Sequence, residues 1–139
     1  MVGIIVISES KASREMLKTV KKVLGQQTLE GVVPLVMDAS LKCPERQRRI
    51  VGTIKKLKTH DGVLILTELC GSTQNNVCVD FLKQGKIEII SGYNLPMLIK
   101  VATLNQSLSV SKIATEIAKS GKKYIHSFKK CEAHGKTHH

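Results

Sequence analysis

Residues 61–73 read DGVLILTELCGST, and Gly62 to Thr67 within them are apolar at nearly every position. A run this short cannot span a membrane, and an apolar residue at each successive position must be covered whichever way it points. Those two conditions describe a parallel strand buried on both faces, between layers of helices. Asp61-Gly62 marks its entry, and Gly71-Ser72-Thr73 marks the turn into a helix whose free amides Ser or Thr can cap. In an open α/β sheet, ligands bind beyond the carboxyl ends of the strands, where strand order reverses. Thr67 to Thr73 is therefore where function is expected first.

The rest of the chain alternates in the same manner. Val2 to Ser8, with GIIVIS at its heart, is expected to be the first strand. Met16, Leu17, Val20, Val23 and Leu24 recur at helical spacing and predict a helix over 12–24, stopped by Gly25. Val32 to Met37 is a second strand, assigned to a sheet edge by Pro34. A helix over Pro44–Leu57 opens with Pro44-Glu45, as a first turn should. Val77, Val79, Phe81 and Leu82 suggest a helix over 73–83, Ile87 to Ser91 a fourth strand, and Asn94 the cap of a helix over 95–105. A last helix, Val110–Phe128, is expected to turn Ile113, Ile117 and Ile125 inward. The organisation expected is one domain over 1–128 and a mobile basic tail over 129–139. The tail holds Cys131, His134, His138 and His139 in no recognisable zinc spacing.

Strands alternating with helices imply βαβ units with right-handed crossovers. The fold class expected is thus α/β: a doubly wound, mostly parallel four-stranded sheet, order 2-1-3-4, with helices on both faces. Strands one and three would then flank the switch point. Their ends would bring Ser8-Glu9-Ser10 beside Glu68-Leu69-Cys70-Gly71-Ser72-Thr73, with Ser91-Gly92-Tyr93-Asn94 alongside.

Composition narrows the function classes. The chain lacks a basic leader and a long apolar run, so a cytoplasmic protein is expected. Four cysteines without paired spacing fit reduced thiols. With two Tyr, two Phe and no Trp, the composition argues against a base-stacking platform for single-stranded nucleic acid. Yet 22 basic residues against 11 acidic ones give a net charge of +11, which favours polyanionic partners. The helix over 44–57 concentrates that charge in Arg46, Arg48, Arg49, Lys55 and Lys56, with Lys58 beyond it. Such a face is either solvated or a footprint for nucleic acid or an acidic protein.

Three stretches, GIIVIS, GVLILTEL and SGYNLPML, together resemble the EIIA component of the mannose-type bacterial phosphotransferase system. The resemblance runs from Val2 to about Phe128. It implies a doubly wound sheet, often a homodimer, and a phosphoryl relay from a phosphocarrier toward a sugar permease through EIIB. In that family the first strand ends in Ser-His-Gly, and the histidine accepts the phosphoryl group. Here the same place reads Ser8-Glu9-Ser10. Glu68 matches the family's histidine-orienting acid, Gly71-Ser72-Thr73-Gln74 replaces Gly-Gly-Ser-Pro, and Asn76 keeps a family asparagine.

A reversible relay needs a nucleophile whose phosphorylated form stays reactive, which imidazole supplies. His60, before the third strand, and His126, His134, His138 and His139, in the last helix or tail, do not fall at that point. Glu9 is then either an acyl-phosphate nucleophile or a polar loop residue without chemistry. Together with Glu68 it could form an acid/base pair, although two carboxylates are too few for a metal site. Cys70 is either a thiol activated by the helix N-terminus or a buried space-filler. Ser8, Ser10, Gly71, Ser72, Thr73 and Asn94 are the expected anion-binding set, with Asn94 alternatively only a helix cap. No metal and no cofactor are expected. The sequence therefore favours an EIIA-like chain without phosphohistidine that serves as a binding or regulatory module, ahead of a carrier using Glu9 or Cys70.

Overall fold

The computed structural model describes residues 1–25, 29–57, 61–79, 81, 86–104 and 107–129. Four parallel strands, β1 (Gly3–Ser8), β2 (Val32–Val36), β3 (Val63–Thr67) and β4 (Ile87–Ser91), form one sheet in the order β2-β1-β3-β4. This is the α/β topology expected. Ile5 lies opposite Ile65, and Leu66 opposite Ile90, so the carboxyl ends of β1, β3 and β4 finish level.

Burial on both faces follows from the sequence alternation. Ile4, Val6, Leu64 and Leu66 face helices α1 (Ala12–Leu24), α4 (Leu95–Thr103) and α5 (Val110–Lys123), which contribute Leu17, Val20, Leu98 and Ile117. Ile5, Ile7, Val63 and Ile65 face α2 (Cys43–Leu57) and α3 (Thr73–Val79), which contribute Ile50, Val77 and Cys78. All five residues of β3 are buried, the central position that its composition demanded. Pro34 lies exposed on the edge strand β2, where its missing N–H costs no ladder bond.

Gly62, at the entry to β3, has φ +112°, and a Cβ there would lie 2.7 Å from Lys86 O. Only glycine fits. The strand can then start hard against the segment leading into β4, with Val63 N donating to Lys86 O at 2.9 Å.

Two expectations fail at element ends. Helix α5 stops at Lys123, and Ile125 and Phe128 are 73% and 65% exposed. Ile125 repeats the spacing of Ile113 and Ile117, but Gly121-Lys122-Lys123 intervenes, a weak and highly charged last turn. Helix α3 is described over Thr73–Val79, with Val79 exposed, and residues 80, 82 and 83 of the expected helix lie outside the described residues. Val23, expected inward, stands at the margin of the apolar stripe of α1 and is 62% exposed. The expected tail is described only at Lys129. Among the described residues no helix is long and apolar enough to cross a membrane.

Candidate functional site

Three loops meet at the carboxyl edge of the sheet, beyond β1, β3 and β4. Backbone and side-chain bonds tie them together. Glu9 N donates to Glu68 Oε1 at 2.9 Å, joining the first loop to the second. Gly92 N donates to Thr67 O at 2.8 Å, joining the third to the end of β3. Tyr93 crosses the gap and donates its hydroxyl to Ile7 O at 3.0 Å. The pairing of β1 with β3 ends at Val6 and Leu66, so Ile7 O, at the switch point, takes its proton from a side chain. Burial, and secondarily the negative charge of Glu68, pushes the Tyr93 hydroxyl well above its ordinary range and keeps it a neutral donor.

The floor beneath these loops is polar and internally satisfied. Thr67 Oγ1 lies 3.0 Å from both Asn75 Oδ1 and Ser91 Oγ, and Ser91 Oγ also bonds Asn75 Oδ1. Ser8 is fully buried at the end of β1, donating to Ser10 O at 2.5 Å and accepting from Ser13 N at 3.1 Å. Ala12 N reaches Ser10 Oγ at 3.4 Å. Helix α1 has no side-chain bond from its own cap residue, Lys11. Ser8 and Ser10 instead take up amides of its first turn.

Among the residues expected to bind an anion, then, Ser8 is committed to the fold. Ser72 caps α3 by accepting from Asn75 N at 3.1 Å, while its own amide donates to Leu69 O. Asn94 is the cap of α4: its Oδ1 accepts from Met97 N and its Nδ2 donates to Gly121 O. Ser10, Gly71 and Thr73 remain exposed on the loop surface. Asn76 Nδ2 lies 3.4 Å from Gly71 O and steadies that turn.

Among the candidate nucleophiles, Glu9 is exposed and its backbone, not its carboxylate, contacts Glu68. Cys70 is exposed in the turn before Gly71, so it is no buried space-filler. His126 lies past the end of α5, its ring 6.1 Å from that of Phe128, and His60, His134, His138 and His139 lie outside the described residues. No group of three or more metal-ligating side chains gathers among the described residues.

The basic face needs a correction. Arg46 is buried, 4% exposed, and does not belong to it. Its guanidinium donates to Leu41 O, Asp38 O, Ala39 O and Gln74 Oε1, and Gln74 Nε2 donates in turn to Met37 O at 2.7 Å. Arg46 and Gln74 thus lock α2 and α3 to the end of β2. Arg48 pairs with Glu45 in its own helix, Arg49 is half-buried, Lys55 and Lys56 are exposed, and Lys58 lies outside the described residues. No motif in the sequence singles out Gln74 or Asn75. Gln74, Val77, Cys78 and Phe81 follow helical spacing, and that signal places Gln74 on the buried side.

A doubly wound sheet with three tied loops at its switch point places the candidate site where open α/β sheets bind ligands. The family model for the PTS system fructose IIA component, EIIA-man, matches residues 3–134, and this chain belongs to that family of EIIA-type sugar phosphotransferase components. Solved structures agree in fold. The mannose/sorbose-specific IIA subunit from Enterococcus faecalis is 20% identical, with TM-score 0.80 over 91% of this chain and 94% of that one. The phosphotransferase component EIIA from Streptococcus agalactiae is 22% identical, with TM-score 0.81 over 91% and 97%. The IIA protein associated with the fucose utilization operon of Streptococcus pneumoniae is 24% identical, with TM-score 0.70 over 86% and 90%. No curated protein is significantly similar in sequence.

Proposed function

We propose that this chain is an EIIA-type component that has given up phosphohistidine relay and acts in the cytoplasm, as a homodimer, as a binding or regulatory module toward the phosphocarrier and EIIB. One observation carries the reading. Where the family resemblance implies the phosphoacceptor imidazole there is Glu9, and the neighbouring acid that would orient an imidazole, Glu68, instead accepts the Glu9 amide. A carboxylate held by an amide has one fewer lone pair for other work, and an exposed Glu side chain lacks the nitrogen nucleophile that makes a relay reversible. The polar floor of Thr67, Asn75 and Ser91 supports a preserved pocket.

Incubation with the phosphotransferase enzyme I, the phosphocarrier and radiolabelled phosphoenolpyruvate tests this. The wild type is expected to remain unlabelled. Stable label that disappears in Glu9→Gln or Cys70→Ser would establish a working carrier with a new nucleophile and overturn the regulatory reading.

A further inference from the structure

Gly52 stands in the middle of the 15-residue helix α2. Glycine inside a helix is destabilising relative to alanine, so a helical glycine invites a reason. Gly121 has one: a Cβ there would lie 2.7 Å from Met97 Cγ and Sδ, in the contact between α5 and α4. Gly52 has none within the fold. A Cβ built on it meets nothing within 4 Å, and its backbone does not enter the left-handed region.

Its surroundings supply the reason. On a helix surface the neighbours of a residue are those three and four positions away. For Gly52 these are Arg48, Arg49, Lys55 and Lys56, all four of them cations. Glu45 pairs with Arg48, but among the described residues Arg49, Lys55 and Lys56 form no ion pair. The negative end of the helix dipole accounts for Lys55 and Lys56 in the last turn. It does not account for the two arginines a turn or more upstream, nor for the bare backbone between them. On one side of Gly52 a hollow of about 390 Å³ is walled by Val33, Pro34 and Leu35 of the edge strand. On the other a hollow of about 540 Å³ runs past Pro44 and Val51. Gly52 lines both.

The geometry points to a docking site for an acidic amphipathic helix of a partner protein, laid across α2 with its closest approach at Gly52. The missing side chain lets another backbone come near, Val33, Pro34 and Leu35 on one flank and Pro44 and Val51 on the other take its aliphatic side chains, and its carboxylates meet the cations, bidentately at Arg49. A nucleic-acid backbone would satisfy the charge but leave the apolar walls of β2 unfilled. None of these residues belongs to the three loops, so the inference stands apart from the chemistry of the pocket.

The probe is a fluorescent helical peptide of Glu, Leu and Ala, with a leucine stripe flanked by glutamates, titrated against the full chain at low salt. A duplex DNA of equal charge serves as comparison. Gly52→Leu fills the hollow without changing charge, and Arg49→Ala with Lys56→Ala removes charge without filling it. Each is expected to weaken peptide binding about tenfold or more, as central contacts in an interface do, while circular dichroism holds and the melting temperature does not fall. DNA binding is expected to respond to the charge variant alone. Peptide binding that is absent, or unchanged in Gly52→Leu, would overturn the proposal, as would an equal loss of DNA binding in Gly52→Leu.

Discussion

Arg46 lies in the first turn of a helix and follows Pro44-Glu45, yet its guanidinium is spent on three carbonyls and one amide oxygen. Truncating it strips the buried Gln74 Oε1 and the part-buried carbonyls of Ala39 and Leu41 of that donor, while Asp38 O keeps the Leu41 amide. Arg46→Ala is expected to lower stability by about 3 kcal/mol, measured by urea unfolding, and Arg46→Lys to recover little, because an ammonium cannot reproduce the planar fork. The sequence places this residue among neighbouring charges, and its deciding partner, Gln74, is 28 positions away. That is why it reads as surface until the fold brings α3 against α2. Asn94 is the opposite case, since its capping role is a local matter of Asn before Leu95-Pro96 and is legible directly. Cys78 gives a pH signature. Burial pushes its thiol from 9.0 up to about 12, so the folded chain holds a proton that the unfolded chain releases sooner. The stability this contributes is complete below the unfolded value and is lost as pH rises from about 9 toward 12. Unfolding midpoints are expected to fall across that window in the wild type and to fall less in Cys78→Ala.

Three glycines separate what an element needs for itself from what it offers to others. Gly62 joins strand to strand at φ +112° with Lys86 O at 2.7 Å, and Gly62→Ala is expected to cost about 3 kcal/mol. Gly121 brings α5 onto Met97, a flexible side chain, and Gly121→Ala should cost about 1–2 kcal/mol as that methionine moves aside. Gly52 meets nothing, and Gly52→Ala should stabilise α2 by about 0.5–1 kcal/mol. Thermal melts of the three variants check the order, and a destabilised Gly52→Ala would mean the helix face is already occupied within the fold. The strands were legible because β1 and β3 are apolar at successive positions, a pattern only a two-sided core tolerates. The end of α5 was not: Ile125 keeps the right spacing, and what decides its exposure is whether another element covers that stretch, which spacing cannot report.

At the scale of the molecule, one sheet presents two separate surfaces. Its carboxyl edge carries the three loops of the candidate site, tied together by Glu68, Thr67 and Tyr93, and the outer face of α2 carries cations. A net charge of +11 favours polyanionic partners, and the binding proposed for α2 should weaken steeply with ionic strength. The meeting of the three loops was legible, because strand order alone brings them together, whereas which of their hydroxyls are already committed depends on bonds such as Ser8 to Ser13 that only the folded chain defines. The most direct test of the central claim, a preserved EIIA pocket lacking only its nucleophile, is the intact mass of the wild type and of Glu9→His after exposure to the phosphocarrier system. A phosphoryl group on Glu9→His at residue 9, with none on the wild type, is the expected result. A phosphorylated wild type would contradict it.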